Sequence, residues 1–391
     1  MHRWFLALFA LPASAIAADP PAAAPVWPAA VTATVDTWPT WRGDAAQTGR
    51  APGTLDPAAL TSRWTWTATD AILSSAVVDA TRVYVGSKDG TIAALDRQTG
   101  TLVWKVTTAA SVEAPPLVVG GVVVVGSRDH MLRVLDAATG AVRWSVDLGA
   151  EITGAASYVP PSAGVGPTVI VGGYDGRVHR VDLTTGADRW VYATGSYLYG
   201  SAALTGDLAV IGGCDGFVHS VRVSDGGVVS KVAVEAYVGA SVGVDGGKGY
   251  VGHFGNKVVS FDPAKGTAGW TYFDRSFPYL SSPAIGADVI VLGGRDKAVH
   301  GVDRVTGQAA WWGNTMGQVD SSPVIVGSHV VVGSADGRLY VMSVEDGSIE
   351  RSLDVGGAIT ASPAVASGWV FIGAADGTFH AFGPRIPGGP K

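Results

Sequence analysis

The sequence predicts an all-β protein: an eight-bladed β-propeller of four-stranded antiparallel blades. A unit first seen as VGSKDGTIAALDRQTGTLVW at residues 85–104 recurs along the chain, and it consists of short alternating apolar runs separated by turns such as Asp89-Gly90. Repeats of about 40 residues with short strands are typical of propeller blades. Eight copies follow from the glycine that closes the first run, at Gly86, Gly126, Gly172, Gly212, Gly252, Gly293, Gly333 and Gly373.

The blades are expected to form a closed ring. Each blade is too thin to bury its own apolar faces, so neighbouring blades must stack around a central axis. The eighth copy ends at GAADGTFHAFGPR, which leaves no room for a fourth strand, while an unassigned strand at residues 62–66 precedes the first copy. We therefore predict that this N-terminal strand completes the last blade and removes its exposed edge.

Two segments precede the predicted propeller. Residues 1–17 have a basic start, a short apolar core and an A-x-A site at Ala15 and Ala17, which is typical of a cleavable secretory signal peptide. Residues 18–37 are rich in proline and alanine and are predicted to be a tether. Residues 38–391 then form a single propeller domain, and we expect the mature chain to be periplasmic or secreted, without a transmembrane segment.

Charge and cysteine content exclude several classes of protein. The formal net charge is −6, whereas a nucleic-acid-binding domain usually has a basic excess, so no nucleic-acid partner is expected. Cys214 is the only cysteine, which excludes an intramolecular disulfide and a lipid-modified cysteine after the signal peptide. We expect a monomer.

The motifs resemble one known family. The segment Trp38-Pro39-Thr40-Trp41-Arg42-Gly43 and blades of the form G-x-x-D-G…D-x-x-T-G-x-x-x-W are similar to the pyrroloquinoline-quinone-like (PQQ-like) propeller repeat proteins. The resemblance covers residues 38 to about 385. Length and blade count are most similar to the BamB-like propeller subunit of the outer-membrane β-barrel assembly machine, which is normally a lipoprotein. The resemblance also implies that one tryptophan per blade docks between neighbouring blades, here Trp64, Trp104, Trp144, Trp190, Trp270 and Trp311.

We call the eight repeated glycines, from Gly86 to Gly373, the marker glycines. The family architecture implies that residues about thirteen positions before each marker glycine surround one mouth of the central channel. On this basis we predict a ligand-binding rim, aromatic and acidic in character, suited to a small polar ligand or a cation. Its candidate residues are Glu113, Glu151, Tyr197, Tyr199, Tyr237, Tyr279 and Asp320.

No catalytic residue and no metal site is predicted. His179, His219, His300 and His380 share one repeat position on the third strands, and third strands of different blades lie too far apart to bind one ion. Members of the family that are dehydrogenases hold a quinone and Ca²⁺ across the channel mouth, and Glu113 and Asp320 are the best placed carboxylates for such a metal. They belong to blades two and seven, so sharing an ion is not expected.

Three functions are compatible with these sequence features. The first is a non-enzymatic scaffold that binds a protein partner in the cell envelope, with no cofactor, as in an outer-membrane assembly complex. The second is a PQQ- and Ca²⁺-dependent dehydrogenase of a small alcohol or sugar. The third is a propeller that binds a small ligand at its rim.

Overall fold

Each repeat forms a four-stranded antiparallel sheet, and eight such sheets are stacked as blades around one axis. The structure is a computed structural model, and it describes residues 24–384. The innermost strands of blades one to eight are Val77–Val78, Leu117–Val119, Ser157–Val159, Ala203–Thr205, Gly243–Asp245, Ala284–Ile285, Val324–Val326 and Ala364–Ala366. The second strands are Arg82–Gly86, Val122–Gly126, Thr168–Gly172, Leu208–Gly212, Lys248–Gly252, Val289–Gly293, His329–Gly333 and Trp369–Gly373.

The outer half of each blade follows the same order. The third strands are Thr91–Asp96, Met131–Asp136, Arg177–Asp182, Phe217–Arg222, Val258–Asp262, Ala298–Asp303, Arg338–Ser343 and Thr378–Gly383. The outermost strands of blades one to seven are Leu102–Thr107, Val142–Asp147, Asp188–Ala193, Val228–Ala233, Thr267–Tyr272, Ala309–Asn314 and Ile349–Asp354. Second strands are almost wholly buried, because neighbouring blades cover both of their faces. The predicted eight-bladed, all-β fold is confirmed.

The predicted closure of the ring is confirmed as well. The outermost strand of blade eight is Thr61–Thr67, which pairs antiparallel with Thr378–Gly383. Trp64 lies opposite Ala381 in this register. The two ends of the propeller are therefore joined by a backbone ladder within one sheet.

Tryptophans hold six of the blade junctions. In each case the indole N–H donates to a backbone carbonyl of the next blade at 2.8–3.0 Å, and the ring packs on the glycine of that blade's turn. The pairs are Trp64 with Arg97, Trp104 with Ala137, Trp144 with Leu183, Trp190 with Val223, Trp270 with Arg304 and Trp311 with Val344. Blade four has Ser230 at this position, and its hydroxyl makes the corresponding bond to Pro263 at 2.6 Å.

Close packing between neighbouring blades explains why the marker positions are glycine. A Cβ on Gly86 would lie 2.4 Å from Val112, and one on Gly126 would lie 2.2 Å from Ile152. In both cases the contacting side chain belongs to the segment that enters the next blade. A side chain at the marker position would therefore push neighbouring blades apart.

An N-terminal segment, residues 24–60, occupies one end of the channel. The predicted tether, residues 18–37, is described from residue 24 onward, and that part contacts the ring: the Tyr158 hydroxyl donates to the Pro28 carbonyl at 2.8 Å. Further along, Arg50–Ala51 forms a short strand parallel to Val324–Val326, and Pro57–Ala59 is a single 3-10 turn. We refer to this end as the closed mouth.

Backbone hydrogen bonds fasten the segment to the inner edges of most blades. Trp38 and Val78 exchange two bonds of 2.8 Å, and the segment's carbonyls accept from the innermost strands of other blades. These bonds join Val118 to Pro39 (2.9 Å), Leu204 to Ala45 (2.6 Å), Val244 to Ala46 (2.9 Å), Ile285 to Thr48 (2.8 Å) and Ile325 to Gly49 (2.9 Å). The inner strand edges that would otherwise face the channel are thus paired.

Two predictions concern export and membrane insertion. The predicted signal peptide, residues 1–17, falls outside the described residues. Within residues 24–384 the structure contains no helix with the length and apolar character needed to cross a bilayer.

Candidate functional site

The opposite end of the channel is open and leads into a cavity of about 170 Å³. Its rim consists of one residue from each of the eight blades. In seven blades this residue lies thirteen positions before the marker glycine, and blade three is the exception. These residues are Leu73, Glu113, Thr153, Tyr199, Gly239, Leu280, Asp320 and Thr360. The predicted mouth is therefore a real opening, and we call it the open mouth.

Serines form the wall of this cavity just inside the rim. At six of the blade junctions, the backbone N–H of the residue at this position in one blade donates a hydrogen bond to the serine hydroxyl at the same position in the next blade. They join Ala155 to Ser201 (2.7 Å), Ser201 to Ser241 (2.9 Å), Ser241 to Ser282 (3.0 Å), Ser282 to Ser322 (2.8 Å), Ser322 to Ser362 (2.9 Å) and Ser362 to Ser75 (2.8 Å). Pro115 occupies the position in blade two and interrupts the ring.

Trp41 of the N-terminal segment forms the floor. Its indole N–H donates to Ser241 at 3.1 Å, so the Ser241 hydroxyl oxygen accepts two hydrogen bonds. Behind the floor lies Arg42, which is 1% exposed and donates from Nη2 to the Pro283 carbonyl at 2.8 Å. Burial lowers the pKa of the Arg42 guanidinium to about 9. The motif that opens the propeller sequence thus seals the channel below the cavity.

The acidic residues of the open mouth are paired with arginines, three carboxylates with two guanidinium groups. Arg128 binds Glu113 at 3.2 Å and Glu151 at 2.8 Å, and Arg295 binds Asp320 with two bonds of 2.9 and 2.8 Å. The hydrogen bond to Glu151 raises the pKa of Arg128, and the bond to Asp320 raises the pKa of Arg295. Both carboxylate groups on the rim are therefore occupied by protein cations.

Glu151 does not stand at the rim itself. Thr153 holds the rim position in blade three, and Glu151 lies two residues earlier, outside the residues that line the cavity. Blade three is six residues longer than most other blades, and the extra residues lie within the loop 158–168, between the rim position and Gly172. Counting thirteen residues back from Gly172 therefore does not reach the rim residue in this blade. Glu151 contributes to the mouth through its ion pair with Arg128.

Three of the four predicted tyrosines form an exposed aromatic arc over blades three to five. Tyr197, Tyr199 and Tyr237 are 54%, 40% and 63% exposed. Tyr174, which the repeat pattern did not single out, stacks on Tyr197 with ring centroids 4.7 Å apart and shares a short hydrogen bond with Tyr199. That hydrogen bond raises the pKa of Tyr174 to about 12. Phe254 of blade five, 46% exposed, extends the set, which we call the aromatic arc.

Tyr279 was expected at the rim, and the structure instead buries it. It is 2% exposed and packs edge-on against His300 at 5.1 Å between ring centroids. Its position, one residue before the rim residue Leu280, is filled in other blades by buried apolar side chains such as Val238 and Val319. Neighbouring residues of this segment point in opposite directions, so Tyr279 faces the junction between blades.

The open mouth does not fit a quinone held by Ca²⁺. Such an ion takes several free oxygen ligands from carboxylates and amides. Glu113 and Asp320 are the carboxylates among the residues lining the cavity, they lie on separate blades, and arginines already bind both.

Comparison with known proteins agrees with this architecture. A family profile described as "Outer membrane protein assembly factor BamB" matches residues 25–210 and 197–385, which together span most of the chain. The chain belongs to this family. No curated protein matches the sequence. The expected similarity to PQQ-like propellers is confirmed.

Solved structures that share the fold include the following three. BamB from Moraxella catarrhalis has 22% sequence identity and a TM-score of 0.68, covering 83% of this chain and 99% of that one. The quinohemoprotein alcohol dehydrogenase from Comamonas testosteroni has 16% identity and a TM-score of 0.72, over 91% and 82%. The computationally designed Ika8 protein has 20% identity and a TM-score of 0.71, over 81% and 97%. At these identities the similarity concerns the fold.

Proposed function

We propose that this BamB-family propeller is a non-enzymatic scaffold of the cell envelope that binds a protein partner through its open mouth. In this proposal residues 1–17 direct export and the mature chain works as a periplasmic or secreted protein. Membership in a family described as an outer-membrane protein assembly factor supports a partner in an envelope assembly complex.

The observation that carries the proposal is the aromatic arc. Tyr197, Tyr237 and Phe254 expose large apolar surfaces on one side of the open mouth. Aromatic residues are enriched in protein interfaces, where a few of them supply most of the binding energy. Arg128 and Arg295 pair with the acidic residues of the open mouth, so a docking partner would bury ion pairs rather than carboxylates that lack a counter-charge.

A small-ligand-binding propeller is the second candidate, and the cavity favours it. Six serine hydroxyls and Trp41 line a volume of about 170 Å³, which suits a small polar molecule. A quinone-dependent dehydrogenase has less support, because both carboxylates at the mouth are engaged by arginines.

A site-specific crosslinking experiment tests the scaffold proposal. A photoreactive amino acid would replace Tyr237 at the open mouth or Val305, an 83% exposed residue in a turn at the other end of blade six. We expect a discrete adduct with one envelope protein from position 237, none from position 305, and loss of the adduct when Phe254→Ala is added.

Equal crosslinking from both positions would contradict the proposal. Saturable stabilisation by a small molecule, lost in Ser282→Leu but retained in Tyr237→Ala, would instead favour ligand binding in the cavity.

A further inference from the structure

Blades four and six contain the same buried unit of tyrosine, histidine and aspartate. In blade four, His219 Nδ1 lies 3.0 Å from the Tyr192 hydroxyl and Nε2 lies 3.0 Å from Asp215. In blade six, His300 Nδ1 lies 3.0 Å from the Tyr272 hydroxyl and Nε2 lies 3.1 Å from Asp296. Both imidazoles are fully buried, so the repeat supplies two closely matched sites in one molecule.

Blade six differs because a second carboxylate joins its unit. Asp274, two residues after the outermost strand of blade five, places a carboxylate oxygen near Asp296 and His300, and one ligand atom from each residue lies within 4.8 Å of the other two. In blade four no second carboxylate completes such a group among the residues 24–384.

Two buried oxygens in this group lack hydrogen bonds. The Asp296 side chain is 2% exposed, and its Oδ2 has no hydrogen-bond partner, nor has Oδ2 of Asp274. A buried carboxylate oxygen without a donor is costly. The feature therefore indicates that a cation belongs between these two side chains.

Arg275 supplies a positive charge beside the group without satisfying it. Its Nε lies 3.3 Å from Asp274 and its Nη1 lies 3.6 Å from Asp296, and neither contact relieves the unpaired Oδ2 atoms by hydrogen bonding. The Arg275 side chain is 51% exposed, so it can move into solvent at little cost.

We propose that Asp274, Asp296 and His300 form a binding site for a first-row divalent cation, Zn²⁺ or Mn²⁺, with Arg275 as the charge that the ion displaces. Imidazole with carboxylates is a ligand set that such ions use, and open sites often have three protein ligands with water in the remaining positions. Ligand atoms of a tetrahedral zinc lie about 3.4 Å apart, so small side-chain movements are sufficient.

The partner of His300 suits this role. The Tyr272 hydroxyl can accept a hydrogen bond from Nδ1–H of His300, and in that tautomer the Nε2 lone pair is free and directed toward the carboxylates. Tyr272 also accepts from the Trp312 indole at 3.3 Å, so its position is fixed. A bound ion would fasten the segment 273–277, whose Phe273 and Phe277 are exposed.

Calorimetric titration of the untagged mature protein with Zn²⁺, and a parallel Mn²⁺ titration followed by electron paramagnetic resonance, test the site. We expect one ion per chain. Asp296→Asn should weaken binding at least about tenfold, and Asp215→Asn in blade four, the matched control, should leave it unchanged. Arg275→Ala should tighten binding about tenfold, since it removes a competing charge.

Several results would overturn the proposal: no saturable binding, equal loss in Asp296→Asn and Asp215→Asn, or Arg275→Ala that destabilises the protein without tightening metal binding. If Asp296→Asn does not fold, Asp274→Asn serves in its place, because Asp274 is partly exposed. Retention of full affinity in Asp274→Asn would equally reject the site.

Discussion

The two ends of the channel are built by the same eight repeats, yet they differ in what covers them. At the closed mouth, residues outside the repeat pair with the inner strand edges and fix Trp38 and Arg42 in buried positions. At the open mouth, one residue of each blade borders the cavity, and exposed tyrosines lie beside paired charges. The two ends therefore differ because of one non-repeated segment and of substitutions at a few repeated positions.

The largest effect is expected from Trp38→Ala at the closed mouth. Trp38 is 2% exposed, exchanges two backbone bonds with Val78 and fills the space against Gly43. Truncation of such a buried ring should lower the free energy of unfolding by about 3–5 kcal/mol, measured by urea denaturation. Trp312→Ala, at a 47% exposed tryptophan, is the control and should cost much less. Equal losses would mean that the closed mouth is no more tightly packed than the outer surface.

The second largest effect is expected from acid, which should lower the free energy of unfolding through His253 on the blade-five side of the open mouth. His253, beside Phe254, is buried, and burial lowers its pKa to about 4 from the ordinary 6.5. The unfolded chain therefore binds a proton on His253 that the folded protein does not, so stability falls as pH decreases from about 6.5 to about 4. The loss is on the order of 2 kcal/mol after allowance for solvent screening.

Denaturation at a series of pH values measures this effect, with His253→Asn as the matched variant. An asparagine oxygen can accept the Gly255 N–H that His253 Nδ1 accepts at 3.0 Å, but it does not titrate. The wild type should lose more stability than the variant between pH 6.5 and 4. Parallel pH profiles would show that His253 does not contribute.

A smaller effect is expected from Ser241→Ala in the cavity wall. The substitution leaves the Ser201 N–H and the Trp41 indole N–H without their acceptor, and each is buried or half-buried. We expect a loss of about 1–2 kcal/mol by urea denaturation. Ser348→Ala, in an exposed turn of blade seven, is the control and should have almost no effect. A neutral Ser241→Ala would indicate that water replaces the hydroxyl at no cost.

The sequence predicted what is periodic and missed what is not. The blades recur and the closing strand completes a count, so the repeat pattern finds them. The tryptophan positions recur as well, but their docking role came from the family resemblance. The N-terminal segment has no period, and its bonds to blades such as those at Val118 and Ile325 involve backbone atoms, which leave no pattern in the side chains. For residues 18–37 the proline- and alanine-rich composition predicted a tether, and the part described from residue 24 onward contacts the ring instead.

The position of the rim was predicted in outline, whereas its use as a ligand-binding site stays a prediction. Glu113, Tyr199 and Asp320 were placed correctly on the rim because their blades keep the regular spacing. Tyr279 was placed wrongly because neighbouring residues of this segment alternate between buried and mouth-facing positions, and the prediction did not use this alternation. The residues at the equivalent position in other blades, such as Ile72, Val112 and Val238, are apolar in sequence and could have indicated that Tyr279 is buried. The arginines that bind the acids come from other turns and could be paired with them only in three dimensions.

The strand that completes blade eight has a consequence for the order of folding. Thr61 and Gly383, paired in one ladder, are more than three hundred residues apart in the chain. The strand Thr61–Thr67 is made before the strands of all eight repeats, yet its partner is the last strand of the chain, so the ring cannot close while the chain is still incomplete. Contacts of such long range slow folding and prolong the time during which unpaired strand edges are exposed. A chain that crosses a membrane before folding would have both ends available together, which favours closure over pairing with other chains.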